Sequence, residues 1–197
     1  RERNLGPRNS GEDRLLIVGS GRIGGLVLQQ LVSHPSPPRL ALAGRDRKTI
    51  EAFARSAEAS ALIMGRHTLV ETLVVDLLEP ESIAEALGAF RPTLIFNSTT
   101  LQTPSSLLGA LPPALRSRIY SVGTGFAPWT SFQLPLLHNL MRAARAESPA
   151  AVVVNAAFPD GTHAALSRRG LAPEVGIGNI HGLQAFMTEA CASRSEE

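Results

Sequence analysis

The sequence contains one lysine, Lys48, among its 19 basic residues. That scarcity excludes several kinds of site. A phosphate-binding G-x-x-x-x-G-K loop is absent. So is a catalytic tyrosine with a lysine four residues later, because Tyr120 is followed at that spacing by Thr124. Cys191 is the only cysteine, which rules out an internal disulfide and a multi-cysteine metal site and suits a reducing, cytoplasmic setting. The five histidines, His34, His67, His138, His163 and His181, fall at no metal-ligand spacing, so no metal is expected; His138, inside a predicted helix, reads as structural. No apolar run approaches the roughly 20 residues that cross a bilayer. The leading RERNLGPRNSGEDR has no apolar core of a secretory signal, and residues 1–13 read as a flexible polar lead-in. The formal net charge is only +2, and the arginines are scattered without a sustained run, so neither nucleic acid nor membrane is an expected partner.

What is present is ordinary for a globular chain, with 44% apolar and 18% charged residues. Short apolar runs at Leu15–Val18, Leu40–Ala43, Leu73–Val75, Leu94–Phe96, Ile119–Val122 and Ala151–Val154 read as strands buried on both faces. Between them, helical patterns fall at about 22–33, 47–60, 80–90, 104–111 and 133–147. The first places Ile23, Leu26, Val27 and Leu31 on one face, and Glu79-Pro80-Glu81-Ser82 marks the start of the third. Such alternation predicts an α/β fold, a doubly wound Rossmann-type parallel sheet of about six strands with helices on both faces. It spans residues 14–157. Residues 158–197 lack a further clear strand and read as an appendix, or as the start of a substrate or dimerisation domain.

Three glycines lie between the first apolar run and the first helix, in Leu15-Leu16-Ile17-Val18-Gly19-Ser20-Gly21-Arg22-Ile23-Gly24. In a strand–turn–helix unit the first glycine permits the tight turn and the second lets the backbone approach a pyrophosphate. The third lets helix and strand pack closely, and the helix N-terminus then presents N–H groups to the phosphates. Gly19, Gly21 and Gly24 meet that specification. At the end of the second strand, where an acid would bind the ribose of NAD, the chain reads Ala43-Gly44-Arg45-Asp46-Arg47-Lys48. The cluster of Arg45, Arg47 and Lys48 favours the 2′-phosphate of NADP over NAD, with Arg45 also able to stack on adenine. Asp46 keeps the ribose contact of NAD open. Asp76, ending the third strand, either accepts from the adenine amino group or caps the next turn. Asn97, Ser98 and Thr99 end the fourth, where turn chemistry and ligand contact are alternatives.

Together VGSGRIGG, AGRD, VVDLLEPESIAEAL, LIFNST and the later VVVNAAFPDGTHAALSRRGLAPEVGIGN resemble the saccharopine dehydrogenase-like NAD(P)-binding domains over about residues 14–182. The resemblance implies cofactor contacts at Gly19, Gly21, Arg22, Ile23, Arg45 and Asp76, with Asn97 and Ser98 near the nicotinamide. The full expected cofactor set adds Ser20, Gly24, Asp46 and Leu77. It also implies an NADP-dependent oxidoreductase acting on a small amino-acid-derived imino or keto substrate. Enzymes of that kind carry a substrate-binding α/β domain after the sixth strand, which this sequence does not contain, so the expectation includes a fragment or a reduced relative. The alternative function is a non-catalytic NAD(P)-binding module or redox-sensing subunit.

The segments Tyr120–Gly125 and Asn155–His163 are expected at the ligand-facing edge of the sheet. Asp160 and His163, three residues apart, could share one face of a helical turn and form a proton-transfer pair, although an Asp between Pro159 and Gly161 is more often a helix cap or turn. Gly176-Ile177-Gly178-Asn179 reads as a second close backbone approach or a loop. Residues 158–197 carry Phe158, Leu166, Leu171, Val175, Ile177, Ile180, Leu183, Phe186 and Met187. That is more apolar surface than a solvated tail carries, so a homodimer, or contact with a missing domain through residues 175–190, is expected.

Overall fold

The computed structural model describes residues 13–102, 104–121, 127–157 and 161–177. The expected lead-in therefore lies outside the described residues except for Asp13, whose carbonyl accepts from the Arg39 N–H at 3.0 Å. The elements run β1 (Arg14–Val18), α1 (Arg22–Val32), β2 (Arg39–Gly44), α2 (Arg47–Ile63), β3 (Val70–Val74), α3 (Pro80–Phe90) and β4 (Leu94–Asn97). They continue with α4 (Pro104–Ala110), α5 (Pro113–Ser121), α6 (Ala127–Glu147), β5 (Val152–Asn155), α7 (Gly161–Ser167) and β6 (Val175–Gly176). The strands form one six-stranded parallel sheet in the order β3-β2-β1-β4-β5-β6. The direction of winding reverses between β1 and β4, which leaves a crevice beyond their carboxyl ends.

Strand alternation builds a core on each face of the sheet. Leu15 and Ile17 of β1, Leu40 and Leu42 of β2 and Phe96 of β4 pack with Leu28 and Val32 of α1 and Ile50, Ala54 and Ala57 of α2. Leu16 and Val18 turn the other way, joining Ala41, Ala43, Ile95 and Val153 against α3, α6 and Leu166 of α7. The doubly wound fold expected from the sequence is the fold observed.

Two strands differ from the sequence reading. Ile119–Ser121 is helical, the end of α5, and Val122 lies outside the described residues. A four-residue apolar run carries no usable period, and Pro113 at the first helical position, with Arg118 in the last turn, favours the helix. The sixth strand is instead Val175–Gly176, pairing Val154 with Val175 and Asn155 with Gly176. Two residues make no detectable run. They are held by tertiary contacts: Glu174 Oε1 takes Arg145 Nη2 of α6 at 2.6 Å, and Glu174 Oε2 accepts the Val153 N–H at 2.9 Å. Helix α6 also begins before residue 133 and contains Pro135 in its interior. Of the expected contact surface at 175–190, only 175–177 are described; Val175 is 44% exposed and Ile177 50%. No helix among the described residues is long and apolar enough to cross a membrane.

Candidate functional site

A cleft of about 280 Å³ opens at the point where the winding reverses. Its wall is made by Gly19, Ser20 and Gly21 after β1, Gly44 and Arg45 at β2, and Val75, Asp76 and Leu77 after β3. Ser98 to Leu101 after β4 and Leu136 of α6 complete it.

The three glycines have three different reasons to be glycine. Gly19 has φ +112, and a Cβ there would lie 2.9 Å from Ser98 Oγ and 3.0 Å from the Ser98 carbonyl carbon; both conformation and space exclude a side chain. Gly24 is buried under the turn, where a Cβ would meet the Gly19 carbonyl oxygen at 1.9 Å. Gly21 is unlike them. Its φ of −80 and ψ of −172 suit any residue, and among the described residues a Cβ would meet nothing within 4 Å. Gly21 is also the N-cap of α1, which has no side-chain cap and no acid in its first turn. The helix start therefore offers unpaired N–H groups and a partial positive charge beside the cleft. An anionic group fits where a Cβ at 21 would stand.

Arg45 is exposed on the cleft wall, and no partner among the described residues engages its guanidinium. Arg47 leans on Glu51 at 3.7 Å. Asp46 caps α2, its Oδ1 accepting the Thr49 N–H at 3.0 Å, and does not line the cleft. Asp76 does line it, and its Oδ1 also accepts the Leu78 N–H at 2.9 Å, the turn-capping role. Leu77 is 4% exposed, with its carbonyl held by Asn139 Nδ2 at 2.9 Å. Asn139 Oδ1 in turn faces Nδ1 of the half-buried His138 at 3.3 Å, consistent with a structural histidine.

Not every expected residue reaches the cleft. Arg22 and Ile23 are exposed at the start of α1 without lining it, and Gly24 lies beneath. Asn97 is fully buried and faces the interior: its Nδ2 donates to Asn155 Oδ1 at 2.7 Å, and its Oδ1 accepts from Thr99 Oγ1 at 2.8 Å. Ser98 does line the cleft and also supports the glycine turn, its backbone N–H donating to the Val18 carbonyl at 2.9 Å. His163 lies outside the cleft, with Nε2 2.9 Å from Asn155 Nδ2. Asp160 lies outside the described residues, as do Gly178, Asn179 and the segment 122–126. Sequence reasoning missed Leu136 and the interior role of Asn155. Leu136 looks like any apolar residue of an amphipathic helix, and only the docking of α6 brings it to the cleft.

No family model and no curated protein matches the chain in sequence. Solved structures match its fold. The lactate dehydrogenase from Eimeria maxima, solved with NADH and oxamate, superposes with a TM-score of 0.56 at 14% identity, over 84% of this chain and 43% of that one. The lactate dehydrogenase from Cryptosporidium parvum, complexed with lactic acid and nicotinamide adenine dinucleotide, gives 0.54 at 14% identity, over 82% and 42%. A short-chain type dehydrogenase/reductase from Mycobacterium marinum gives 0.52 at 15% identity, over 78% and 58%. The fold is thus one used by nicotinamide-dependent dehydrogenases, and the chain spans about half the length of those structures. It lacks the tyrosine–lysine pair at Tyr120 and Thr124.

Proposed function

We propose that the chain binds NADP in this cleft, with NAD as the weaker ligand, and serves as an oxidoreductase. Gly21 carries the reading. Nothing in the packing of the described residues requires glycine there, whereas a pyrophosphate lying against the uncapped start of α1 does. Arg45, exposed and without a partner among the described residues, supports the preference for a 2′-phosphate. Bound nicotinamide supplies the hydride, and the protein binds and orients. The N–H groups at the start of α1 would hold the phosphates, and Asp76 would face the adenosine half. The finer reading, a saccharopine dehydrogenase-like enzyme acting on a small amino-acid-derived imino or keto substrate, rests on the sequence motifs. Contact with a second copy or another domain near residues 175–190 belongs to the same reading and is supported by the exposed Val175 and Ile177. Calorimetric titration with NADPH and NADH tests the binding, and turnover with imino and keto acids tests the chemistry; absence of NADPH binding refutes the proposal.

One observation favours a nucleotide-binding module without chemistry of its own. Among the described residues lining the cleft, Arg45 and Asp76 are the only ionisable ones. Turnover by the purified chain separates the two readings.

A further inference from the structure

Asn155, at the carboxyl end of β5, is 0% exposed, and its side-chain amide is fully engaged. Oδ1 accepts from Asn97 Nδ2 at 2.7 Å and from the Ala157 N–H at 3.3 Å. Nδ2 donates to the Ala157 carbonyl at 3.1 Å and lies 2.9 Å from His163 Nε2. The backbone of Ala157 fixes which way the amide faces, because its N–H can only donate and its carbonyl can only accept. Turned over, the amide would set donor against donor and acceptor against acceptor in the interior, a costly arrangement. Nδ2 therefore offers a proton to His163, and Nε2 must be the accepting nitrogen. A neutral imidazole has one N–H, which then sits on Nδ1.

The far end of this chain of bonds is the cleft wall. Thr99, which lines the cleft, donates to Asn97 Oδ1 from both its hydroxyl and its N–H, at 2.8 and 3.3 Å. We propose that Asn155 is a positioning residue that holds His163 as the neutral Nδ1–H tautomer and closes Nε2 to proton transfer. Asn97 and Thr99 anchor it from the cleft side. The use of His163 in chemistry rests on the oxidoreductase reading; its tautomer does not.

Long-range proton–nitrogen correlation spectra of the uniformly ¹⁵N-labelled full chain, recorded where histidine is neutral, test this. The His163 signals are identified by their loss in His163→Gln. In the wild type, Nδ1 is expected to show the protonated-type shift and Nε2 the bare-type shift. Asn155→Asp puts an acceptor opposite Nε2 and is expected to move the proton there. A wild-type spectrum with the proton on Nε2 overturns the assignment without recourse to any variant. So does an Nε2 that stays bare in an Asn155→Asp protein whose circular dichroism is native. NADPH titration of the same sample tests the dinucleotide reading separately: an Nδ1–H imidazole in a chain that binds no dinucleotide upholds the tautomer assignment and refutes that reading alone.

Discussion

Gly21→Ser and Gly24→Ala, both small changes three residues apart, should have opposite consequences. At position 24 the added methyl would stand 1.9 Å from the Gly19 carbonyl oxygen and 3.0 Å from Ser98 Oγ. Carbon and oxygen need more than 3 Å, so the turn must move by about an ångström. Overpacking of this kind costs roughly 1–3 kcal/mol, and the upper end applies because the obstacle is backbone. Gain in helix propensity returns up to about 1 kcal/mol. A net loss of roughly 2 kcal/mol lowers the melting temperature by about 4–8 °C in a chain of this size. At position 21 the geometry is open and extended, and serine is a better N-cap than glycine by a few tenths of a kcal/mol. Gly21→Ser should melt at or slightly above the wild type. The same side chain occupies the space into which a pyrophosphate would come, so NADPH affinity should fall at least about tenfold, or roughly 1.4 kcal/mol. Thermal melts followed by circular dichroism and calorimetric titration read both quantities on each variant. If Gly21→Ser, or the bulkier Gly21→Val, folds and binds NADPH as tightly as wild type, the phosphate does not lie there. A Gly24→Ala protein with an unchanged melt would refute the packing argument.

Three further outcomes are expected. Arg45→Ala should weaken NADPH by about ten- to a hundredfold, the loss of a charge-assisted bond worth roughly 1.5–3 kcal/mol, and NADH far less; equal losses for both would mean stacking on adenine instead. Arg145→Met removes a 2.6 Å ion pair between side chains only 27% and 23% exposed, together with a bond to the Ala172 carbonyl. It should cost about 1–3 kcal/mol and free the β6 segment first, seen as selective loss of amide-exchange protection at Val153 and Ile177; uniform loss across the sheet would refute that local role. Light scattering on the purified chain should show a dimer that Val175→Asp with Ile177→Asp converts to monomer, and a wild-type monomer would refute the second-copy form of the contact.

The first half of the fold was legible because each of its signals is local. Leu15–Val18 must be a strand buried on both faces, and Gly19, Gly21 and Gly24 answer to a turn, an open approach and a close packing within six residues. Asp46, expected as a ribose contact, instead caps α2 and does not line the cleft. What failed lay where a segment's state depends on distant partners. Ile119–Ser121 has the composition of a strand and the neighbours of a helix. Val175–Gly176 has almost no signal, yet it becomes a strand because Arg145, some thirty residues earlier, holds Glu174 beside β5. Asn97 and Asn155 each look like the polar end of a strand facing ligand. Only the adjacency of β4 and β5 joins them into a buried amide pair. Sequence determines backbone freedom and burial pattern, which are properties of neighbours along the chain. Hydrogen-bond partners across the sheet are properties of strand order, and strand order exists only once the chain has folded.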